Sequence, residues 1–323
     1  MSMRDAIQNF NKQFEYEPKI ENYENFKLHK KFIVAGMGGS HLAGDLLKVW
    51  DPGLDITVHT DYGLPAMSGK DLKNSLIIAS SYSGNTEETI SAFEEARDKE
   101  LDVLVISTGG KLIDLAKEHS LPYIQIPDTR IQPRSALGFS FAAILRAMGN
   151  EDALGDLKKL VSSLDPGSYE DRGKNIAKKL QGKVPVIYSS NKNQAIAYNW
   201  KIKFNETGKI PAFYNVFPEI NHNEMTGFDA KDATRELSEN FYFFILRDSE
   251  DHPSILKRME VLGGLYRDRG FFVEIVDIEG ESKFHKIFSS LILADWIAYH
   301  TAEQYGLESE QVPMVEEFKK LIS

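Results

Sequence analysis

Short apolar runs alternate along this chain with longer stretches of helical spacing. Lys31–Ala35 (KFIVA) is a run of aromatic and β-branched residues that stops at Gly36-Met37-Gly38-Gly39, and a helical pattern follows over 40–49. Residues 56–59, Ser75–Ser80 (SLIIAS), 101–107 (LDVLVIS) and 123–126 read as further strands. Before the strand at 101–107, the stretch 87–99 puts Ile90, Phe93 and Ala96 on one helical face. Strand, turn, helix, strand in this order predicts a doubly wound parallel sheet. Over 150–182 charged residues take over, with Leu154, Leu157, Leu160 and Leu164 at helical spacing. A second strand–helix series begins at 183–189 (KVPVIYS) and runs through strands at 239–246 and 271–278, with a helix near 255–267 between them. Helices over 284–300 and 315–322 end it. The two halves share one architecture, so the expected organisation is a first domain over 1–150, a helical connection over 151–182 and a second domain over 183–323.

Composition supports two packed domains: 323 residues at 42% hydrophobic content are enough for large cores. Thirty-eight basic against 48 acidic residues leave a net charge of −10, which argues against nucleic acid as a partner. Any anionic ligand must then be captured by local donors. The absence of cysteine excludes disulfides, thiolate metal sites and a cysteine nucleophile. The opening MSMRDAIQNFNKQFEYE lacks an apolar export core, and the most apolar stretches (242–246 and 291–298) fall far short of the roughly 20 residues a spanning helix needs. A cytoplasmic protein with no membrane partner is expected.

The most informative segment is Ser80-Ser81-Tyr82-Ser83-Gly84-Asn85-Thr86-Glu87-Glu88, which leaves an apolar strand and opens a helix. Asn85 reads as the N-cap, with Glu88 three residues on in the capping-box position. The hydroxyls of Ser81, Ser83 and Thr86 crowd round Gly84, where free N–H groups and the positive end of the helix dipole converge, so the turn is a candidate phosphate site. Gly36-Met37-Gly38-Gly39-Ser40 is a second loop of this kind. A dinucleotide fingerprint would need glycine where His41 stands, and no lysine completes a Walker loop. The histidines fall into neither H-x₃-H nor H-E-x-x-H spacing, so no metal or other cofactor is expected.

These two loops, together with Pro133-Arg134-Ser135-Ala136-Leu137-Gly138, Phe204-Asn205-Glu206-Thr207-Gly208-Lys209, Asn221-His222-Asn223-Glu224 and Glu317-Phe318-Lys319, resemble the bifunctional phosphoglucose/phosphomannose isomerase family over essentially the whole chain. The resemblance implies an α/β fold of two sugar isomerase (SIS) domains, each a five-stranded parallel sheet flanked by helices in a flavodoxin-like three-layer sandwich. It implies metal-free interconversion of glucose 6-phosphate and mannose 6-phosphate with fructose 6-phosphate, and a homodimer in which the histidine reaches the site from the partner subunit. By motif position, Gly39, Ser40, Ser81, Ser83 and Thr86 match the family's phosphate-binding residues. Arg134 matches the active-site arginine, Glu206 the catalytic base, and His222 and Lys319 the groups assigned to ring opening. Relatives carry an Asp-Pro-Thr-like stretch before the final helix where this chain reads Glu308-Ser309-Glu310-Gln311-Val312-Pro313, so the departure bears on mannose phosphate rather than glucose phosphate.

The chemistry asks for these residue types. One carboxylate within reach of C1 and C2 can carry the proton between them. A fixed guanidinium stabilises the enediolate, and a histidine titrates where ring opening needs it. Glu219 or Glu224 could orient the His222 ring, Lys320 offers an alternative to Lys319, and His285-Lys286 has either a site or a structural role. Competing readings are a non-catalytic SIS-type regulator that binds a sugar phosphate, or an SIS isomerase of another sugar phosphate. The first would have no use for the set Glu206, Arg134 and His222.

Overall fold

The computed structural model describes residues 2–322, so the end positions 1 and 323 of the expected domain spans lie outside the described residues. The chain divides into two compact units, one of residues 8–164 and one of residues 2–7 with 165 onward. In chain order the helices and strands are α1 (Met3–Gln8), β1 (Lys31–Ala35), α2 (Gly39–Trp50), β2 (Asp55–His59), α3 (Gly69–Lys73), β3 (Ser75–Ser80), α4 (Glu87–Asp98), β4 (Val103–Ser107), α5 (Gly110–Glu118) and β5 (Tyr123–Gln125). After these come α6 (Leu137–Ala147), α7 (Glu151–Lys158), α8 (Leu160–Ser163) and α9 (Glu170–Lys179). The second series is β6 (Val184–Ser190), α10 (Gln194–Glu206), β7 (Phe213–Phe217), α11 (Glu224–Gly227), β8 (Phe241–Arg247), α12 (Pro253–Asp268), β9 (Phe272–Asp277), α13 (Lys283–Gln304) and α14 (Pro313–Ile322).

The first unit holds a five-stranded parallel sheet in the order β2-β1-β3-β4-β5. Its central strands are apolar at every inner position because helices cover both faces. Ile33, Ile77, Val103 and Val105 pack with Ile90, Phe93 and Ala96 of α4 and Leu112 and Ile113 of α5. On the other face Gly44 brings α2 down on Val34 and Val58. The second unit holds a parallel sheet of four strands, β7-β6-β8-β9. On one face Tyr188, Phe243 and Ile245 pack with Met259, Leu262 and Tyr266 of α12, while Phe244 meets Trp200 and Phe204 of α10 on the other.

This corrects the expectation of five strands in each sheet: after β9 the chain passes directly into α13, whose 22 residues include sixteen that are buried, leaving no segment for a fifth strand. The structure also adds β7, which the apolar pattern does not reveal. It is an edge strand framed by Pro211 and Pro218, carries Asn215, and leaves Phe213 exposed. No helix among the described residues is long and apolar enough to cross a membrane.

Candidate active site

In the first sheet, β1 and β3 are neighbours whose following connections leave in opposite directions, which opens a crevice beyond their carboxyl ends. The two glycine-containing loops meet there. The Ser80 hydroxyl donates to the Ser40 carbonyl at 2.9 Å, and the Tyr82 N–H donates to Ser40 Oγ at 2.9 Å, stitching one loop to the other. Ser81 Oγ accepts the Gly84 N–H at 3.1 Å and shares a hydrogen bond with Thr86 Oγ1 at 2.8 Å. Ser81 is fully buried, so it braces the turn from behind, whereas Ser83 is exposed and accepts the Asn85 N–H at 3.3 Å.

Thr86, not Asn85, is the residue that caps α4, and no side-chain capping bond forms there. The Thr86 hydroxyl is engaged with Ser81, and Asn85 turns outward to accept the Lys111 N–H at 3.0 Å. The expected capping box with Glu88 is therefore absent, and Asn85 serves a third loop. That loop, Ser107-Thr108-Gly109-Gly110, is locked to the second: the Thr108 N–H and hydroxyl donate to the Tyr82 carbonyl at 3.1 and 2.7 Å. Gly84 adopts a positive φ of 71°, and a Cβ there would lie 1.8 Å from the Gly109 carbonyl oxygen. A serine, a threonine and two glycines between a buried strand and a helix are the same signal that marks the second loop, so this partner was available to sequence reasoning.

Arg134 lies in a 3-10 turn, Pro133–Ser135, and is 2% exposed. A Cβ on Gly39 would sit 2.6 Å from the Pro133 carbonyl carbon and 2.8 Å from the Arg134 nitrogen. Glycine is thus required where the arginine's turn presses on the first residue of α2. Gly39, Ser40, Ser81, Ser83, Thr86 and Arg134 are brought together in one unit, at two helix N-termini. His41, which interrupts the dinucleotide pattern, is buried and bonds Asp45 of the same helix at 2.7 Å.

The other three candidates belong to the second unit, on separate elements. Glu206 is the last residue of α10 and half-buried. The preceding turn is fastened by a buried ion pair in which Lys203 Nζ lies 2.7 Å from both oxygens of Asp295 on α13. Lys209, left-handed at φ 59°, donates from Nζ to the Glu206 carbonyl at 2.7 Å and to the Gln311 carbonyl, tying the Glu206 turn to the segment before α14. His222 follows a 3-10 turn after β7 and is exposed. Lys319 is exposed on α14 and pairs with Glu316 at 2.8 Å.

The equivalent crevice of the second sheet, beyond β6 and β8, is chemically different. Lys192 and Lys286 pair there with Asp248 at 3.0 and 3.1 Å and with Glu250 at 3.4 and 2.7 Å. This gives Lys286 a structural role. Asp251 accepts from Ser190 Oγ at 2.7 Å, and burial pushes its carboxyl above the ordinary carboxylate range. The cations there are neutralised by neighbouring carboxyls, whereas in the first unit the described residues include hydroxyls such as Ser40 and Ser83 that accept N–H groups. Among the described residues no group of three His, Asp or Glu side chains is placed to hold a metal ion.

A family model for the bacterial phosphoglucose isomerase C-terminal SIS domain matches residues 169–322. The chain is 33% identical over 321 residues to a bifunctional phosphoglucose/phosphomannose isomerase of Aquifex aeolicus, covering 98% of this chain and 96% of that one. It is 33% identical to the enzyme of that name from Thermoplasma volcanium, over 100% of this chain and 98% of the other. In fold it is similar to the solved glucosamine-6-phosphate deaminase of Thermotoga maritima, with a TM-score of 0.67 at 15% identity over 96% of each chain. Two parallel sheets, the hydroxyl-lined crevice and end-to-end similarity at this level lead to one conclusion: the chain belongs to the bifunctional phosphoglucose/phosphomannose isomerase family.

Proposed function

We propose that this protein interconverts fructose 6-phosphate with glucose 6-phosphate and mannose 6-phosphate. The observation that supports the reading is the crevice of the first unit, where hydroxyls and helix N-termini gather and the backbone turn that carries the buried Arg134 packs against Gly39. Such a crevice suits a phosphate bound without lysine, as an acidic chain requires. Ser40, Ser83 and Thr86, with loop N–H groups, hold the phosphate. His222 and Lys319 open the ring, one giving a proton to O5 while the other takes the proton from O1. Glu206 then removes the C2 proton of the open aldose to leave a cis-enediolate with its charge on O1; the proton of O2 passes to O1, and Glu206 returns its own proton to C1, leaving the carbonyl at C2. Arg134 stabilises the negative charge that develops on the enediolate oxygens. Every step is a proton transfer within the competence of these side chains.

We also propose that the enzyme is a homodimer in which His222 completes the site of the other subunit. The exposure of His222, and of Met314, Phe318 and Leu321 on α14, supports this. A phosphorylated sugar does not cross membranes, which supports a cytoplasmic setting.

Glu206→Gln tests the assignment of the base. The variant is expected to lose at least about 10³-fold in kcat, the scale of a general base, and to keep its affinity for an acyclic polyol phosphate. Near wild-type turnover would remove Glu206 from the mechanism.

A further inference from the structure

The polar residues on either side of His222 are all committed to holding its backbone. Asn221 Oδ1 accepts from Arg258 of α12 at 3.3 Å. Asn223 donates to Glu219 Oε1 at 2.7 Å, and its own Oδ1 accepts the Glu224 N–H at 2.5 Å. Glu224 reaches back into the sheet: one carboxyl oxygen accepts the Tyr188 hydroxyl of β6 at 2.5 Å, and the other accepts the amide of Asn215 on β7. Tyr188 is fully buried, stacked on Phe243 with ring centroids 5.7 Å apart and edge-on to Phe217 at 6.1 Å, so this anchor point is rigid. Burial also holds its hydroxyl far above the ordinary tyrosine range, which keeps it a donor. The His222 ring, by contrast, makes no hydrogen bond among the described residues and is exposed. Neither Glu219 nor Glu224 orients that ring directly; both act on the backbone that carries it.

We infer that Glu224 is the positioning residue for His222, fixing the histidine's segment to the second sheet through Tyr188 and Asn215. The inference rests on the isomerase reading for its catalytic consequence and on the anchor alone for its structural one. The segment is seated on the core by Ile220 before the histidine and by Met225 and Phe228 after it, and between those apolar contacts the Glu224 carboxyl is the group that ties the histidine's turn to the sheet.

Two measurements test it. Amide hydrogen exchange over residues 219–227 is expected to speed up by about tenfold in Glu224→Ala and in Tyr188→Phe, as local opening becomes easier. Unchanged exchange would overturn the anchor. In the isomerase assay Glu224→Ala is expected to lower kcat by about 30-fold, with Glu224→Gln recovering to within about tenfold of wild type, because its amide oxygen still accepts from Tyr188 while its NH2 no longer accepts from Asn215. On a His222→Ala background the same Glu224→Ala change should cost less than about twofold more, since residues acting through one another are not additive. Equal losses on both backgrounds, or wild-type kcat in Glu224→Ala, would overturn the positioning role. Absence of turnover in the unmutated protein would instead strike the isomerase reading, and the exchange arm would still decide the anchor.

Discussion

Two serines in the same turn have opposite environments, and that difference decides what each does. Ser83 is exposed and holds only the Asn85 N–H, so its hydroxyl is available to an incoming phosphate. Ser81 is fully buried, with its oxygen shared between the Gly84 N–H and Thr86. On the proposed phosphate role, removing Ser83 takes away one contact to a dianion that is equal in ground and transition states. Ser83→Ala is therefore expected to raise KM by about tenfold and leave kcat within about twofold. Ser81→Ala removes the bond to Thr86 and one of the two acceptors of the Gly84 N–H, which keeps the Ser81 carbonyl at 3.2 Å, so it should cost about 0.5–1.5 kcal/mol of stability in addition to affinity. Steady-state kinetics beside urea unfolding of both variants checks this. A Ser83 variant that lost kcat at unchanged KM would contradict the phosphate role.

At the scale of elements, α10 shows how the residue proposed as the base is carried. Glu206 ends the helix, and one turn earlier Lys203 is buried against Asp295 of α13 at 1% and 4% side-chain exposure. Breaking such a pair leaves an uncompensated charge in the core, so Asp295→Leu is expected to destabilise by about 3–5 kcal/mol, and Lys203→Met with Asp295→Leu together by much less. Denaturant midpoints for the single and double variants measure the difference; equal losses would contradict it. This pair also marks the limit of what the sequence discloses. The strands β1, β3 and β4 are legible because they are buried on both faces and so apolar at consecutive positions. The second loop is legible because hydroxyls and a glycine follow such a strand. Asp295 is not legible: it sits inside an apolar helix pattern, 92 residues from a partner that only tertiary packing supplies. β7 is missed because an edge strand carries a mixed pattern, and Asn85 is misassigned as the cap because its oxygen is claimed by a loop 26 residues away.

Across the whole molecule, the two units share a parallel-sheet architecture and differ in the chemistry of their crevices. The first keeps hydroxyls and N–H groups at the strand ends; the second is occupied by the network of Lys192, Lys286, Asp248 and Glu250. One phosphate site per chain is the expectation, and on the proposed function Glu206, His222 and Lys319 are the second unit's candidates for the chemistry. If His222 acts in the partner's site, two inactive variants should repair each other. Mixing Glu206→Gln with His222→Ala under conditions of subunit exchange is expected to restore about a quarter of the wild-type activity, from the one mixed site with both groups intact. No recovery in a demonstrated mixed dimer would place His222 in its own subunit's site. The central claim is isomerisation itself. Its most direct test is a coupled assay of the purified protein with fructose 6-phosphate and EDTA, reading glucose 6-phosphate and mannose 6-phosphate separately. The account predicts both products without added metal. Binding of the sugar phosphate with no turnover to either product would contradict it and leave a sugar-phosphate sensor in its place.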